Sequence, residues 1–390
     1  MKIAFYAVDR DKWHGGISHL RSLFCAIKKT FKNDTSLILL KNTNSDAGSS
    51  NIDLCADETL QIPELKRKAS RVTNRIIFRL FGYDLLVRNF IKKHKFDLLF
   101  GVTLTTSCGN VPTLSWIYDF QHHHLPEMFN CSERDQRDKT FLQTAKMSTR
   151  IIVMSESVKR DFERFAPQYV HKVRVLKTAC YIPESVYDTS PEFVVSRYYL
   201  PENFFYLPNQ FWKHKNHEFV FQAVKQLKDQ GLKVNLVCSG HFVDYRHSSY
   251  FADLWQKLSR WNIRNQIIYL GLIPYEHVFQ LMRQSICVIN PSLFEGFGLT
   301  VDEARSLGKK VLLSDIEVFR EQNPPKGVFF NPEDPKDLAE KMDQIWHDTM
   351  PGPDNNLEKK AREILPERLR ESAYSFISVA NEALHLSAHY

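Results

Sequence analysis

The chain has 390 residues, more than one hydrophobic core ordinarily supports, so two domains are expected. Hydrophobic residues make up 43% and charged residues 25%, a soluble globular balance, and no apolar run reaches the length that spans a bilayer. A net charge of +7 suits anionic partners such as phosphates, while seven scattered cysteines without a C-x-x-C pair argue against a disulfide framework or a zinc site and for a reducing compartment.

The amino terminus, "MKIAFYAVDR", reads as a strand and lacks the apolar core of a signal peptide, so the expected location is cytoplasmic, free or peripheral on a membrane. After it, "DRDKWHGGISHLRSLFCAI" places Gly15-Gly16 in a loop before a helix. Such a loop either offers amides to a phosphate or acceptor, or only makes a tight turn. "TSLILL" is the next strand. Residues 66–95 then carry ten basic side chains, among them Arg71, Arg75 and Arg79 at helical spacing, with Ile76, Ile77, Leu80 and Phe81 clustered apart. That pattern fits either an anionic membrane surface or a solvated helix packed on the domain core. No recognition motif accompanies it, which argues against nucleic acid.

Further strands are "FDLLFGV", "PTLSWIYD", "RIIVMS" and "KVRVLK", with a helix in "SESVKRDFERF" capped by Ser155. Between them "YDFQHHHLPE" holds three consecutive histidines, but adjacent side chains diverge and no nearby cysteine or H-x-x-x-H pattern supports a metal site. Residues 187–203 break periodicity with two prolines and are expected to be a linker between a domain of residues 1–186 and one of residues 204–365. The second domain runs through "FFYLPN", "KVNLVCSG", "QIIYLGL", "ICVINPS", "KVLLSD" and "GVFFNP", with helices between. A long helix over 366–390 is expected to return to the first domain. Short apolar runs alternating with helix-period segments make both domains parallel α/β.

In "NPSLFEGFGLTVDEARSLG", Glu295 and Glu303 flank the turn Gly296-Phe297-Gly298 between a strand and a helix. In open parallel sheets, ligands sit outside the carboxyl ends of strands, and free amides at a helix start favour an anion. Glu303 either completes a capping box with Thr300 or faces a ligand. No cap explains Glu295. Upstream, "LPNQFWKHKNHEFVFQAV" sets Lys215 just before a helix with Asn216 as its expected cap, a suitable place for a phosphate contact.

The stretch "PSLFEGFGLTVDEARSLGKKVLLSD", with "IIYLGLIPYEHVFQLMRQSICVINPS" before it and "GVFFNPEDPKDLAEKM" after it, resembles the E-x7-E signature of the retaining glycosyltransferases of family 4. The resemblance covers most of the carboxyl-terminal domain. It implies a GT-B architecture, two Rossmann-like domains with parallel sheets facing across a cleft. The implied activity is transfer of a sugar, with retention, from a nucleotide-sugar donor to a hydroxyl of a glycan or lipid-linked acceptor in cell-surface polysaccharide synthesis, without a cofactor or metal. The implied roles put Glu295 at the donor sugar and Glu303 at the ribose, with Gly296, Phe297, Gly298, Leu299 and Thr300 along the sugar and diphosphate. Gly16, Asn209, Gln210, Lys215 and Leu272 complete the donor contacts, and Asp119, His122, Glu295 and Lys215 are the catalytic candidates. Two positions depart from the family pattern. Gln210 stands where members carry an arginine on the diphosphate, for which Lys213 or His214 can compensate, and Tyr118-Asp119 stands where members commonly carry His-Asp. The alternatives are a sugar-nucleotide epimerase of the same fold and a non-catalytic sugar-nucleotide-binding subunit, the latter encouraged by Gln210.

Overall fold

A computed structural model describes residues 1–6, 14–32, 34–42, 55–62, 85–104 and 110–388. The chain divides into two compact units, one of Met1–Phe120, Cys131–Tyr181 and Glu367–Tyr390, the other of Gln121–Asn130 and Ile182–Pro366.

The first unit is built on seven parallel strands: β1 (Lys2–Tyr6), β2 (Ser36–Asn42), β3 (Glu58–Ile62), β4 (Leu98–Val102), β5 (Thr113–Trp116), β6 (Arg150–Val153) and β7 (Val173–Val175), in the order β3-β2-β1-β4-β5-β6-β7. Their register places Ile3 opposite both Leu37 and Leu98. All three are fully buried, as expected where helices cover both faces of a parallel sheet. Strand β3 escapes a reading of apolar runs because it is an edge strand whose Glu58, Thr59 and Gln61 face solvent. The crossover helices include α1 (His14–Phe31), α2 (Leu85–His94), α3 (Cys131–Met147) and α4 (Glu156–Phe165). Ser155 caps α4 by accepting from the Val158 amide at 3.2 Å. Arg71, Arg75 and Arg79, with most of the basic stretch 66–95, lie outside the described residues; on α2 the side chains of Arg88, Lys92 and Lys93 are exposed.

The second unit holds β8 (Phe205–Leu207), β9 (Leu236–Cys238), β10 (Ile267–Tyr269), β11 (Cys287–Asn290), β12 (Val311–Ser314) and β13 (Gly327–Phe330), parallel and ordered β10-β9-β8-β11-β12-β13. The order reverses between β8 and β11, which pair through Cys287 opposite Phe205. The loops leaving their carboxyl ends are therefore neighbours, the arrangement that makes a ligand crevice in open α/β sheets. The helices of this unit include α5 (Glu192–Tyr198), α6 (His217–Asp229), α7 (Tyr250–Arg260), α8 (Tyr275–Gln284), α9 (Leu299–Leu307), α10 (Glu317–Gln322) and α11 (Pro335–Asp348). Phe205, Leu207, Val220, Val224, Leu236 and Leu312 are fully buried between sheet and helices. Each such side chain contributes roughly 1.5–3 kcal/mol.

Residues 187–203, read from the sequence as a linker, lie within the second unit, as do Ile182–Val186. The reason is polar. Arg283, 6% exposed, donates to the carbonyl oxygens of Val186 (2.6 Å) and Thr189 (3.2 Å), and pairs with both carboxylate oxygens of Glu358 at 2.9 and 3.0 Å. A prolonged helix, α12 (Asn355–Ala388), ends the described chain; Pro366 lies inside it, where the first unit resumes at Glu367. Beyond that point Phe376 lies 5.7 Å from Phe5, and Glu382 accepts from Arg150 and Arg174.

Helix α9 stops at Gly308, which is left-handed at φ +73°. A Cβ there would collide with the Leu357 carbonyl and lie 2.6 Å from the Glu358 nitrogen, both backbone atoms that cannot swing aside. Gly308→Ala is expected to destabilise the protein by about 1–3 kcal/mol in denaturant melts. A melt indistinguishable from wild type contradicts this packing.

Candidate functional site

Asn290 closes β11, and the chain passes through Pro291 and the turn around Gly296 and Gly298 into α9. Gly298, at φ +87°, occupies the cap position; a Cβ there would strike the Phe319 ring. The Gln322 side-chain amide holds the turn through the carbonyls of Phe297 and, at 3.2 Å, Gly298. Because Gly298 is the cap, Thr300 is the second residue of the helix, and the capping box with Glu303 does not form. The Thr300 hydroxyl instead donates to Asn209 Oδ1 at 3.1 Å, and Glu303 Oε1 accepts from the Tyr275 hydroxyl at 2.5 Å. In the first turn of α9 the Val301 amide donates to the Gly298 carbonyl at 3.0 Å, which leaves the amides of Leu299 and Thr300 available to an anion.

The loop after β8 meets this turn. A 3-10 turn over Lys213–Lys215 ends at Asn216, which is left-handed at φ 55° and makes no side-chain cap. Asn216 occupies the expected cap position, but its side chain makes no cap bond; asparagine serves there by tolerating the left-handed turn. Lys215 Nζ pairs with Glu295 Oε1, the two side chains being 19% and 12% exposed. Ser292 Oγ donates to the same oxygen at 2.7 Å. The loop is anchored beneath by His217, fully buried, which stacks on Phe211 at 3.9 Å with Nε2 3.3 Å from the Asn209 carbonyl. Burial pushes His217 down to about 3, so the ring is neutral and donates through Nε2.

Glu303 is 8% exposed. Burial pushes its carboxyl up to about 7, against the opposing pull of the Tyr275 hydrogen bond; Asp302 adds to the rise and Lys215 lowers it. Of the other donor candidates, Asn209 is buried (3%), Gln210 is half-buried after β8, and Leu272 is exposed after β10. Lys213 is exposed and its amide donates to Asp244, whereas His214 is buried and its carbonyl accepts from Leu293. The second unit thus brings Asn209, Lys215, Glu295, Thr300 and Glu303 around one helix start. His122 is buried in the same unit, beside His123 and Phe129, and His124 stacks on Phe294 at 4.6 Å, directly before Glu295.

In the first unit, Asp119 pairs with Arg137 at 2.6 Å, whose guanidinium also lies over Tyr118 at 5.2 Å. Gly15-Gly16 are not in a preceding loop, as the sequence suggests, but form the first turn of α1, which begins at His14. Glycine there leaves the helix start uncluttered; the amides of a first turn are free in any case. Tyr275, Ser292 and Asn290 were missed. Their signal was polar residues at the ends of apolar runs, in "LIPY" and "VINPS", where Tyr275 and Asn290 meet partners distant in sequence and Ser292 meets Glu295 three residues on.

Residues 191–364 match the family model "Glycosyl transferases group 1". The chain is 26% identical over 145 residues to the O-antigen chain mannosyltransferase RfbU of Salmonella typhimurium, covering 37% of this chain and 38% of that protein. It is 26% identical over 223 residues to the O-antigen chain mannosyltransferase B of Escherichia coli, covering 54% and 56%. The matched regions therefore span about half or less of these relatives. Among solved structures, Anabaena HepE in complex with UDP and glucose superposes with a TM-score of 0.67 at 15% identity over 100% of both chains. WaaG, a glycosyltransferase involved in lipopolysaccharide biosynthesis, superposes at 0.61 and 14% identity over 98% of this chain and 99% of that one. At such identities the likeness concerns the fold, which is GT-B: two parallel-sheet α/β domains, here of seven and six strands.

The raised Glu303 carboxyl has a pH signature. The folded chain keeps that proton up to about pH 7, whereas an ordinary glutamate loses it near 4.5. Between those values the folded state binds more protons than the unfolded, so stability falls as pH rises and levels off above 7. Glu303→Gln keeps the acceptor for Tyr275 and lacks the slope. Urea melts are expected to give nearly equal stabilities for wild type and Glu303→Gln below pH 4.5, with the variant gaining on the order of 3 kcal/mol by pH 8. Parallel pH profiles contradict the burial of a protonated carboxyl.

Proposed function

We propose that the protein is a retaining glycosyltransferase of the family 4 kind, moving a sugar from a nucleotide-sugar to a hydroxyl of a glycan or lipid-linked acceptor during synthesis of a cell-surface polysaccharide. The observation that carries this proposal is the convergence of Lys215, Glu295 and Glu303 on the amide-bearing start of α9. The O-antigen mannosyltransferases among the relatives favour a mannosyl or related hexosyl donor, and the nucleotide bound by HepE favours a nucleoside diphosphate; GDP-mannose and UDP-glucose are the first donors to try.

Ribose hydroxyls donate to Glu303, displacing or joining Tyr275. The diphosphate lies against the amides of Phe297 to Thr300 and against Lys215, and a hydroxyl of the transferred sugar donates to Glu295. Asp119 and His122 contact the reacting sugar or the acceptor. The acceptor oxygen attacks the anomeric carbon on the face the diphosphate leaves. The bond from that carbon to the phosphate oxygen breaks, and the acceptor's proton passes to that oxygen. Negative charge grows on the leaving diphosphate, where an ammonium and fixed amide dipoles stabilise it without reorganising. With those charges in place, no metal ion is needed.

Melting of the purified protein with UDP, GDP, ADP and dTDP in turn is expected to show one specific rise in Tm, since a ligand of the native state stabilises it. Truncating Glu295 to alanine strands the Lys215 charge, so Glu295→Gln is the cleaner variant. It is expected to keep that nucleotide shift while kcat falls by about two orders of magnitude, the scale of one lost electrostatic contact. No shift with any nucleotide sinks the transferase proposal; near-native turnover of Glu295→Gln sinks the role of Glu295 alone.

A further inference from the structure

Glu295 precedes a turn containing two glycines, a backbone that does little to hold a neighbouring side chain in place. Yet an acid that must meet one sugar hydroxyl has to be fixed to a fraction of an ångström. Side chains supply that fixity. Ser292 Oγ lies 2.7 Å from Glu295 Oε1 and 2.7 Å from Asn290 Oδ1. Asn290 Oδ1 also accepts from Asn209 Nδ2 at 3.1 Å, and Asn209 Oδ1 accepts from the Thr300 hydroxyl at 3.1 Å. Ser292 and Asn290 are both 0% exposed, and Asn209 is 3% exposed, so the middle of this run of close polar contacts between Glu295 and the first turn of α9 is out of contact with water.

A serine hydroxyl has one proton for two acceptors, and the ionised carboxylate holds it more strongly than a neutral amide oxygen does. Ser292 and Lys215 therefore both donate to Glu295 Oε1. Among the described residues no hydrogen bond reaches Oε2, which is the oxygen left to face a ligand.

We infer that Ser292, backed by Asn290, is a positioning residue that turns Oε2 of Glu295 toward the donor sugar and sets its distance from the phosphate-binding start of α9. The inference rests on the proposed transferase activity. Ser292 touches neither nucleotide nor sugar; it acts only through Glu295. Its removal must therefore separate turnover from nucleotide binding, which a general loosening of the fold does not do.

The test compares wild type, Ser292→Ala and Ser292→Thr, the last keeping the hydroxyl. Donor cleavage is measured with GDP-mannose and UDP-glucose at saturation, and affinity for the matching nucleoside diphosphate is measured by calorimetry. Ser292→Ala is expected to lower kcat about tenfold or more, with nucleotide affinity within about threefold of wild type, and Ser292→Thr to recover most of the loss. A crystal structure of Ser292→Ala is expected to show the Glu295 carboxylate rotated. Unchanged kcat in Ser292→Ala with active wild type overturns the inference and leaves the transferase proposal standing. Inactive wild type that binds no nucleotide overturns the transferase proposal; the crystal structure then decides the positioning role, and an unmoved Glu295 carboxylate overturns it too.

Discussion

The pair between Lys215 and Glu295 is the contact on which the second unit's site depends. It ties the loop after β8 to the turn after β11, the two strands at which the sheet order reverses. Both side chains are mostly buried, and a buried ion pair is seldom a net source of stability because desolvation offsets its attraction. Its value here is positional. It holds one cation and one anion beside a helix start, each able to release the other when a ligand of the opposite charge arrives.

The same crowding explains Glu303. Burial outweighs the pull of the Tyr275 hydrogen bond and of Lys215, so its carboxyl is raised to about 7, and among the described residues it accepts from Tyr275. Two glutamates eight positions apart are thereby given different chemistry. Glu295 is held by an ammonium and a hydroxyl, whereas Glu303, raised to about 7, is partly protonated near neutral pH. Gly298 makes the arrangement possible, since its left-handed turn lets α9 begin without a side-chain cap and leaves Thr300 and Glu303 free for other partners.

Much of this was legible in the sequence, for identifiable reasons. Twelve of the thirteen described strands coincide with apolar runs because both faces of a parallel sheet are buried; β3 was invisible because it lies at an edge with polar residues outward. The spacing of Glu295 and Glu303 around a glycine turn pointed to the strand end and helix start that the structure displays. Local rules failed where a tertiary partner outbid them. Thr300 and Glu303 have the spacing of a capping box, but Asn209 and Tyr275 take their side chains. Asn216 sits at the cap as expected but, left-handed, makes no side-chain cap bond, and residues 187–203 look like a linker until Arg283 binds the carbonyls just before and within them. None of those partners is near in sequence, so no window of residues could have revealed them.

The most direct measurement is a crystal structure with whichever nucleoside diphosphate stabilises the protein. The account requires Lys215 Nζ within hydrogen-bond distance of a phosphate oxygen, the diphosphate against the first-turn amides of α9, and ribose hydroxyls on Glu303. A nucleotide bound elsewhere, with Lys215 still paired to Glu295 and Tyr275 still bonded to Glu303, would contradict it.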